Sequence, residues 1–155
     1  MDIQVYWHAP FDLLDTSPEG IYGVEYDEEI PDTPGVYIFA RVHGRSVAPL
    51  YIGQATDLRR RVGQHLNNLH LMRGIENAPA GHRALYIGEI QFKRGQQEPV
   101  VLNLAETALI SAALAEGYEL LNIQGTNTPV DTITSSGSRE ARRWLPASEI
   151  HLSRT

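Results

Sequence analysis

The chain has no cysteine, no long apolar run and, over its first 33 residues, no lysine or arginine. The absence of cysteine excludes disulfides and thiolate metal sites. No apolar run approaches 18 residues, and the N-terminal residues lack the basic-then-apolar pattern of a signal peptide. With 42% hydrophobic and 21% charged residues in 155, the composition is that of a globular protein. We therefore expect a single soluble, cytoplasmic domain over residues 1–155, with no membrane partner.

The charge is unevenly distributed. Residues 1–33 carry nine acids and form an acidic N-terminal arm, whereas residues 34–100 carry nine bases against four acids. The net charge of −6 therefore does not exclude a nucleic-acid partner, because the positive charge that phosphate requires is concentrated in the middle of the chain. The arm is either a solvated face or a segment that moderates DNA binding or contacts a basic protein partner.

The hydrophobic pattern predicts an α/β (α+β) fold, with a small antiparallel three-stranded sheet flanked by helices. Pro- and Gly-rich residues 1–33 predict a short strand or an irregular arm packed on the domain, and the Ser/Gly-rich residues 135–138 predict a turn. The predicted strands cover residues 35–41, 47–53 and 84–93; the predicted helices cover residues 58–72, 100–116 and 139–144; and residues 120–124 are expected to be extended.

Three polar side chains lie on or beside apolar helix faces. Arg61 and His65, four residues apart, lie at the edge of the apolar stripe of the first helix, and Glu106 falls within the stripe of the second. An unpaired carboxylate there would be costly, so a cation should meet it: an arginine or a divalent metal. A half-buried histidine, a snorkelling arginine and a buried Glu–Arg pair would produce the same pattern.

Two short motifs follow one another in the middle of the chain. Gly-Val-Tyr at 35–37 is followed, after 13 intervening residues, by Tyr-Ile-Gly at 51–53. Either triplet alone is uninformative, since Gly-Ile-Tyr at 20–22 and Tyr-Ile-Gly at 86–88 are also present. The ordered set is specific: the two triplets are followed by Arg61, His65, Glu106 and Asn122. In this order the chain resembles the GIY-YIG nuclease superfamily over residues 34–125, with residues 126–155 as a C-terminal extension bearing a short helix.

The resemblance implies roles for the matching residues. Tyr37 would be the general base, with nearby positive charge such as that of Arg61 lowering its pKa. Arg61 would also contact the scissile phosphate, and His65 would orient or deprotonate a tyrosine hydroxyl. Tyr51 would bind a phosphate oxygen or a water. Glu106 would hold one Mg²⁺ or Mn²⁺, and Asn122 would stabilise the loop or a water of the site.

The resulting expectation is a divalent-metal-dependent endonuclease that hydrolyses nucleic acid, DNA in preference to RNA. Two alternatives remain: a catalytically inactive module of the same fold that binds nucleic acid, and a protein-interaction domain. A basic cluster and a basic turn could supply nucleic-acid contacts, although residues like those of the cluster more often form a solvated helix face; the residues are Arg59, Arg60, Lys93 and Arg94.

Overall fold

The structure is a computed structural model that describes residues 1–122, 132–140 and 149–151. Its described residues form a mixed α+β fold with three α-helices and an eight-stranded sheet. The strands are β1 (Asp2–Trp7), β2 (Phe11–Asp15), β3 (Tyr22–Val24), β4 (Gly35–His43), β5 (Ser46–Ala55), β6 (His82–Gln91), β7 (Thr132–Gly137) and β8 (Glu149–His151). The helices are α1 (Leu58–Leu66), α2 (Leu69–Glu76) and α3 (Glu98–Ala115), and a single 3-10 turn spans Asp27–Glu29.

The three predicted strands are present and pair antiparallel in the order β5-β4-β6. The β4–β5 hairpin turns at Gly44, which has a positive φ of 61°. In this register Tyr37 lies opposite Gly53 on β5 and opposite Ile87 on β6. The two motif triplets are therefore neighbours across one hairpin.

The sheet is larger than the three strands predicted. The second edge of β6 pairs antiparallel with both β1 and β2, and β1 continues through parallel β7 to β8. The alternation of Ile3, Val5 and Trp7, all at most 1% exposed, places β1 over the core, and this period of two was the sequence signal for a central strand.

On the C-terminal side, the sequence predicted a turn over residues 135–138 and a helix over residues 139–144. Residues 135–137, predicted as part of a turn, belong to β7 instead. Parallel pairing with β1 uses backbone groups, and Gly137 lies so close to the Trp7 backbone that a side chain there would collide with it. Most of the helix predicted over residues 139–144 lies outside the described residues.

The sheet separates two hydrophobic clusters. Val36, Ile38 and Ala40 of β4 face α3, whereas Tyr37 and Phe39 face α1 and α2. Side chains alternate along a strand, so the strand register decides which face of the sheet a motif tyrosine lies on. The Tyr37 side chain thus lies on the α1–α2 side of the sheet.

The helices differ from the sequence expectation mainly in the first pair. The single helix predicted over residues 58–72 is two helices that break at Asn67 and Asn68, and the second one continues to Glu76. The side chains of Asp57 and Asn68 each accept a backbone N–H at the respective N-terminus, which lets the chain turn and restart.

The helix α3 packs against β5 and β4 and begins with a proline in its first turn. By length and composition alone its 18 residues could cross a membrane, but half of that window is buried inside the protein, and the core helix of a soluble protein passes the same test. Nine of its side chains are buried, which makes it apolar over most of its circumference.

Candidate active site

The centre of the site is a contact between β4 and α1. The Tyr37 hydroxyl lies 2.6 Å from His65 Nε2, and both side chains are buried, at 1% and 7% exposed. The alternation of side chains along β4 directs Tyr37 toward α1, and His65, in the last turn of α1, contacts it there. The sequence had placed His65 only at the edge of an apolar stripe.

Aromatic rings surround His65 on three sides. The ring centroids of Tyr37 and Tyr51 each lie 5.3 Å from that of His65, and the centroid of Phe39 lies 6.2 Å away. The Tyr37 and Tyr51 rings are nearly parallel, with 14° between their planes. Such contacts restrict the imidazole to one orientation, in which Nε2 faces the Tyr37 hydroxyl.

The glycines of the two triplets make room for this arrangement. A Cβ on Gly53 would collide with the Tyr37 phenol, which lies opposite it in the hairpin. A Cβ on Gly35 would collide with the Gly88 carbonyl and with the Leu58 side chain at 2.7 Å. Each glycine is therefore required by close approach of a neighbour.

The two other triplets do not reach this cluster. Tyr86 is buried in the hydrophobic cluster on the α3 side of the sheet, opposite Ile38. Tyr22 lies in the short strand β3, partly buried at the margin of the α1–α2 cluster. Register and face thus distinguish Tyr37 from two tyrosines in near-identical local sequences.

Burial opposes ionisation of the central pair. It raises the pKa of Tyr37 to about 12, and the neighbouring Arg61 guanidinium opposes this rise without cancelling it. Burial, assisted by the positive charge of Arg61, lowers the pKa of His65 to about 4. The expectation that positive charge lowers the pKa of Tyr37 below its usual value is therefore wrong. At neutral pH Tyr37 is therefore protonated and His65 is neutral, with one hydrogen bond between the Tyr37 hydroxyl and His65 Nε2.

Arg61 lies at the solvent side of the cluster. Its guanidinium is exposed and donates to Gln64 Oε1 at 3.3 Å. Its charge influences Tyr37, Tyr51 and His65. An exposed guanidinium above a buried phenol–imidazole pair is well placed to bind an incoming anion such as phosphate.

Glu106 approaches the same cluster from α3, around the β5 side of the sheet. Its negative charge contributes to raised pKa values of both Tyr37 and Tyr51. Burial raises the pKa of Glu106 itself, while the Gln54 backbone N–H and the Arg61 charge act against that rise. Glu106 is half-buried, and the described residues provide no Lys, Arg or His within ion-pair distance of it.

This environment fits a divalent cation held through one carboxylate. No three His, Asp or Glu side chains converge into a metal cluster in the part of the chain that is described. A hard ion such as Mg²⁺ keeps several waters and needs few protein oxygens, so a lone carboxylate without an ion-pair partner is a suitable donor. A cation beside Glu106 would favour the ionised form that burial disfavours.

Asn122 supports the site from a distance. Its side chain accepts from the backbone N–H of Ile52 at 3.3 Å and donates to the Ile52 carbonyl, as a paired strand would. The neighbouring Leu121 N–H donates to the Leu50 carbonyl at 2.7 Å. Residues 121 and 122 form a bend and not the extended stretch expected over residues 120–124, of which residues 123 and 124 lie outside the described part of the chain. Asn122 thus holds β5 between Tyr51 and Gly53 and acts as a positioning residue.

The four basic candidates are dispersed. Arg59 donates to the carbonyls of Ile30 and Glu28, at 2.7 and 2.8 Å, and so anchors the acidic arm to α1. Lys93 pairs with Asp2 at 2.6 Å, and Arg94 is exposed in the turn after β6. Arg60 is the one that joins Arg61 in lining a surface cavity next to the cluster.

Gln54 was missed by the sequence reasoning. Its backbone N–H contacts Glu106, its side chain donates to Asn103 of α3, and it lines the same cavity as Arg61. Its position directly after the second triplet was the available signal, but nothing in the sequence shows that α3 meets β5 there.

Comparison with known proteins returns no match: no family model, curated protein or solved structure matches this chain.

Proposed function

We propose that this protein is a divalent-metal-dependent endonuclease of the GIY-YIG type that hydrolyses phosphodiester bonds, of DNA in preference to RNA. One observation carries the proposal: a buried Tyr37–His65 hydrogen bond of 2.6 Å lies beside an exposed Arg61 and a half-buried Glu106. These four side chains combine a proton acceptor, an anion-binding group and a cation ligand, which are the groups that phosphodiester hydrolysis needs.

The proton path follows from the pKa directions. The attacking water gives its proton to the Tyr37 oxygen as Tyr37 passes its own proton to His65 Nε2, so no free tyrosinate has to form. A pKa of about 12 for Tyr37 makes a separate ionisation step costly at neutral pH. A pKa of about 4 makes His65 a weak base, so it accepts the proton only when negative charge is brought next to it. An approaching phosphate, being negative, favours protonated His65 and so drives the transfer.

Charge on the phosphate oxygens is balanced by Arg61, whose planar guanidinium can bind two oxygens at once. Tyr51 lies on the same side of the sheet, where its hydroxyl would donate to a further phosphate oxygen. A Mg²⁺ or Mn²⁺ ion held by Glu106 would supply Lewis-acid stabilisation of the leaving oxygen. The Gln54 backbone N–H favours the ionised form of the Glu106 carboxylate, which is the form that binds a cation.

The direct test is nicking of supercoiled plasmid by the purified chain, with Mg²⁺ present and with Mg²⁺ chelated. We expect nicking only when Mg²⁺ is present. The Glu106→Gln variant should not nick the plasmid, although its circular-dichroism spectrum should be unchanged. Glu116→Gln is the matched control, because Glu116 is an exposed residue at the end of the same helix. DNA and RNA strands of one sequence, compared side by side, test the substrate preference.

Metal-independent cleavage, or full activity in Glu106→Gln, would refute the proposed role of Glu106. Nucleic-acid binding without any cleavage would favour the inactive binding module over the nuclease.

A further inference from the structure

A surface cavity of about 560 Å³ opens next to the reaction centre, between the α1–α2 pair and Leu121, which follows α3 and pairs with β5. Its walls include two residues of the catalytic cluster, Tyr51 and His65. The proposed mechanism uses their polar atoms but leaves the cavity itself unexplained. The cavity is also lined by residues of α2 and its two caps, namely Asn68, Leu71, Arg73 and Asn77.

The lining has a division that suits a flat heterocycle. Leu71 is buried and forms an apolar wall, and the Tyr51 ring is partly exposed and available for stacking. Asn77 and Arg73 are exposed and line the cavity with an amide and a guanidinium. Aromatic and apolar walls with a few polar groups are typical of sites that hold an unstacked base.

The other flank of the catalytic cluster has a different character. There a cavity of about 360 Å³ has no aromatic residue in its lining. Two arginines outnumber the single carboxylate, that of Asp57, which caps the N-terminus of α1; the other lining residues are Gln54, Ala55, Thr56 and Gln64, with Arg60 and Arg61 as the arginines. Phosphate groups suit this polar flank, since their binding depends on Arg and on hydrogen-bond donors. A bound strand would therefore have its backbone phosphates on the Arg60 side and a base on the Leu71 side.

The cavity is held open by a buried arginine. Arg83, at 7% exposed, donates to five backbone carbonyls at the end of α2 and in the following loop. These bonds fix the segment that carries Asn77. A binding site formed before the ligand arrives loses less entropy on binding.

We propose that this cavity receives one nucleobase, rotated out of the base stack, from the nucleotide next to the scissile phosphate. The substrate is then single-stranded or locally unpaired nucleic acid, because a base inside a perfect duplex must first be unpaired at a cost of a few kcal/mol. This inference rests on the proposed nuclease function and adds the substrate class to it.

The first experiment is an abasic scan. Short single-stranded DNA oligonucleotides, each lacking one base at a successive position along their whole length, are titrated against the full chain carrying Glu106→Gln, with fluorescence anisotropy as the readout. We expect one position at which loss of the base weakens binding at least about fivefold, the lower end for a lost base–aromatic stack. A flat profile would overturn the inference.

The second experiment asks whether the sensitive base occupies this cavity. In Glu106→Gln, the added change Asn77→Ala should weaken binding of the intact oligonucleotide severalfold but leave binding of the abasic one unchanged. Asn67→Ala is the matched control: Asn67 is also an exposed C-terminal cap, that of α1, but it does not line this cavity. Equal weakening of both oligonucleotides by Asn77→Ala would place the base elsewhere.

The third experiment compares cleavage by the unmodified chain of a single strand, a perfect duplex and a duplex with one bulged nucleotide. We expect kcat/KM to be higher for the strand and the bulge than for the duplex. Equal cleavage of all three would refute the substrate class while leaving the nuclease intact. No cleavage of any of them would refute the nuclease, and the binding scan would still decide whether the cavity holds a base.

Discussion

Replacing Tyr37 by phenylalanine removes one oxygen from the centre of the site and leaves the ring packing unchanged. The lost hydrogen bond is the 2.6 Å contact with His65 Nε2, in a place where Tyr37 is 1% exposed. A buried neutral hydrogen bond is worth about 1 kcal/mol, and the unpaired His65 nitrogen adds about 1–3 kcal/mol. The variant should therefore be measurably less stable but still folded. Its turnover should fall by about two orders of magnitude or more, since the hydroxyl that relays the water proton to His65 is missing.

The assay is the single-turnover rate of DNA cleavage with Mg²⁺, together with thermal unfolding of the same samples. Tyr86→Phe is the matched control, because Tyr86 is also 1% exposed and also belongs to a motif-like triplet, Tyr-Ile-Gly at 86–88, but lies on the α3 side of the sheet. It should lose stability without losing rate. If Tyr37→Phe cleaves as fast as the parent chain, or if Tyr86→Phe is the inactive variant, the assignment of the general base is wrong.

Three further predictions concern the charged groups. Since burial raises the pKa of Glu106, cleavage should decline on acidification at a pH where an exposed glutamate is still ionised. A higher Mg²⁺ concentration should move that decline to lower pH, because the metal competes with the proton for the carboxylate. A decline that does not respond to Mg²⁺ would argue against Glu106 as the ligand. Arg60→Ala should weaken DNA binding and lower the salt slope by about one, whereas Arg59→Ala should mainly lower the melting temperature because Arg59 holds the arm carbonyls; the reverse outcome would exchange their roles. Neutralising four carboxylates of the arm together should tighten DNA binding at low salt, and the gain should fade as salt rises; the residues are Glu25, Asp27, Glu28 and Glu29. An affinity that stays unchanged over the salt series would mean that the arm is only a solvated face.

The hairpin and α3 could be predicted from local signals. Alternating β-branched and aromatic residues indicate β4, β5 and β6, and a proline start with a glycine stop indicates α3. The break between α1 and α2 was missed, because the apolar spacing continues through it and only the capping side chain of Asn68 marks the restart. The strands of the acidic arm were underestimated, since turn residues around them conceal the alternation in β1.

The sequence by itself determined the order and spacing of the candidate residues and the helix positions that present Arg61, His65 and Glu106. These depend on helix and strand periodicity, which is a local property of the chain. Only the tertiary structure brought Glu106 from the α3 side to the Tyr37 side near β5, and only burial decided that Tyr37 holds its proton while His65 stays neutral. Desolvation depends on everything packed around a group, from elements far apart in sequence, so no local pattern contains it.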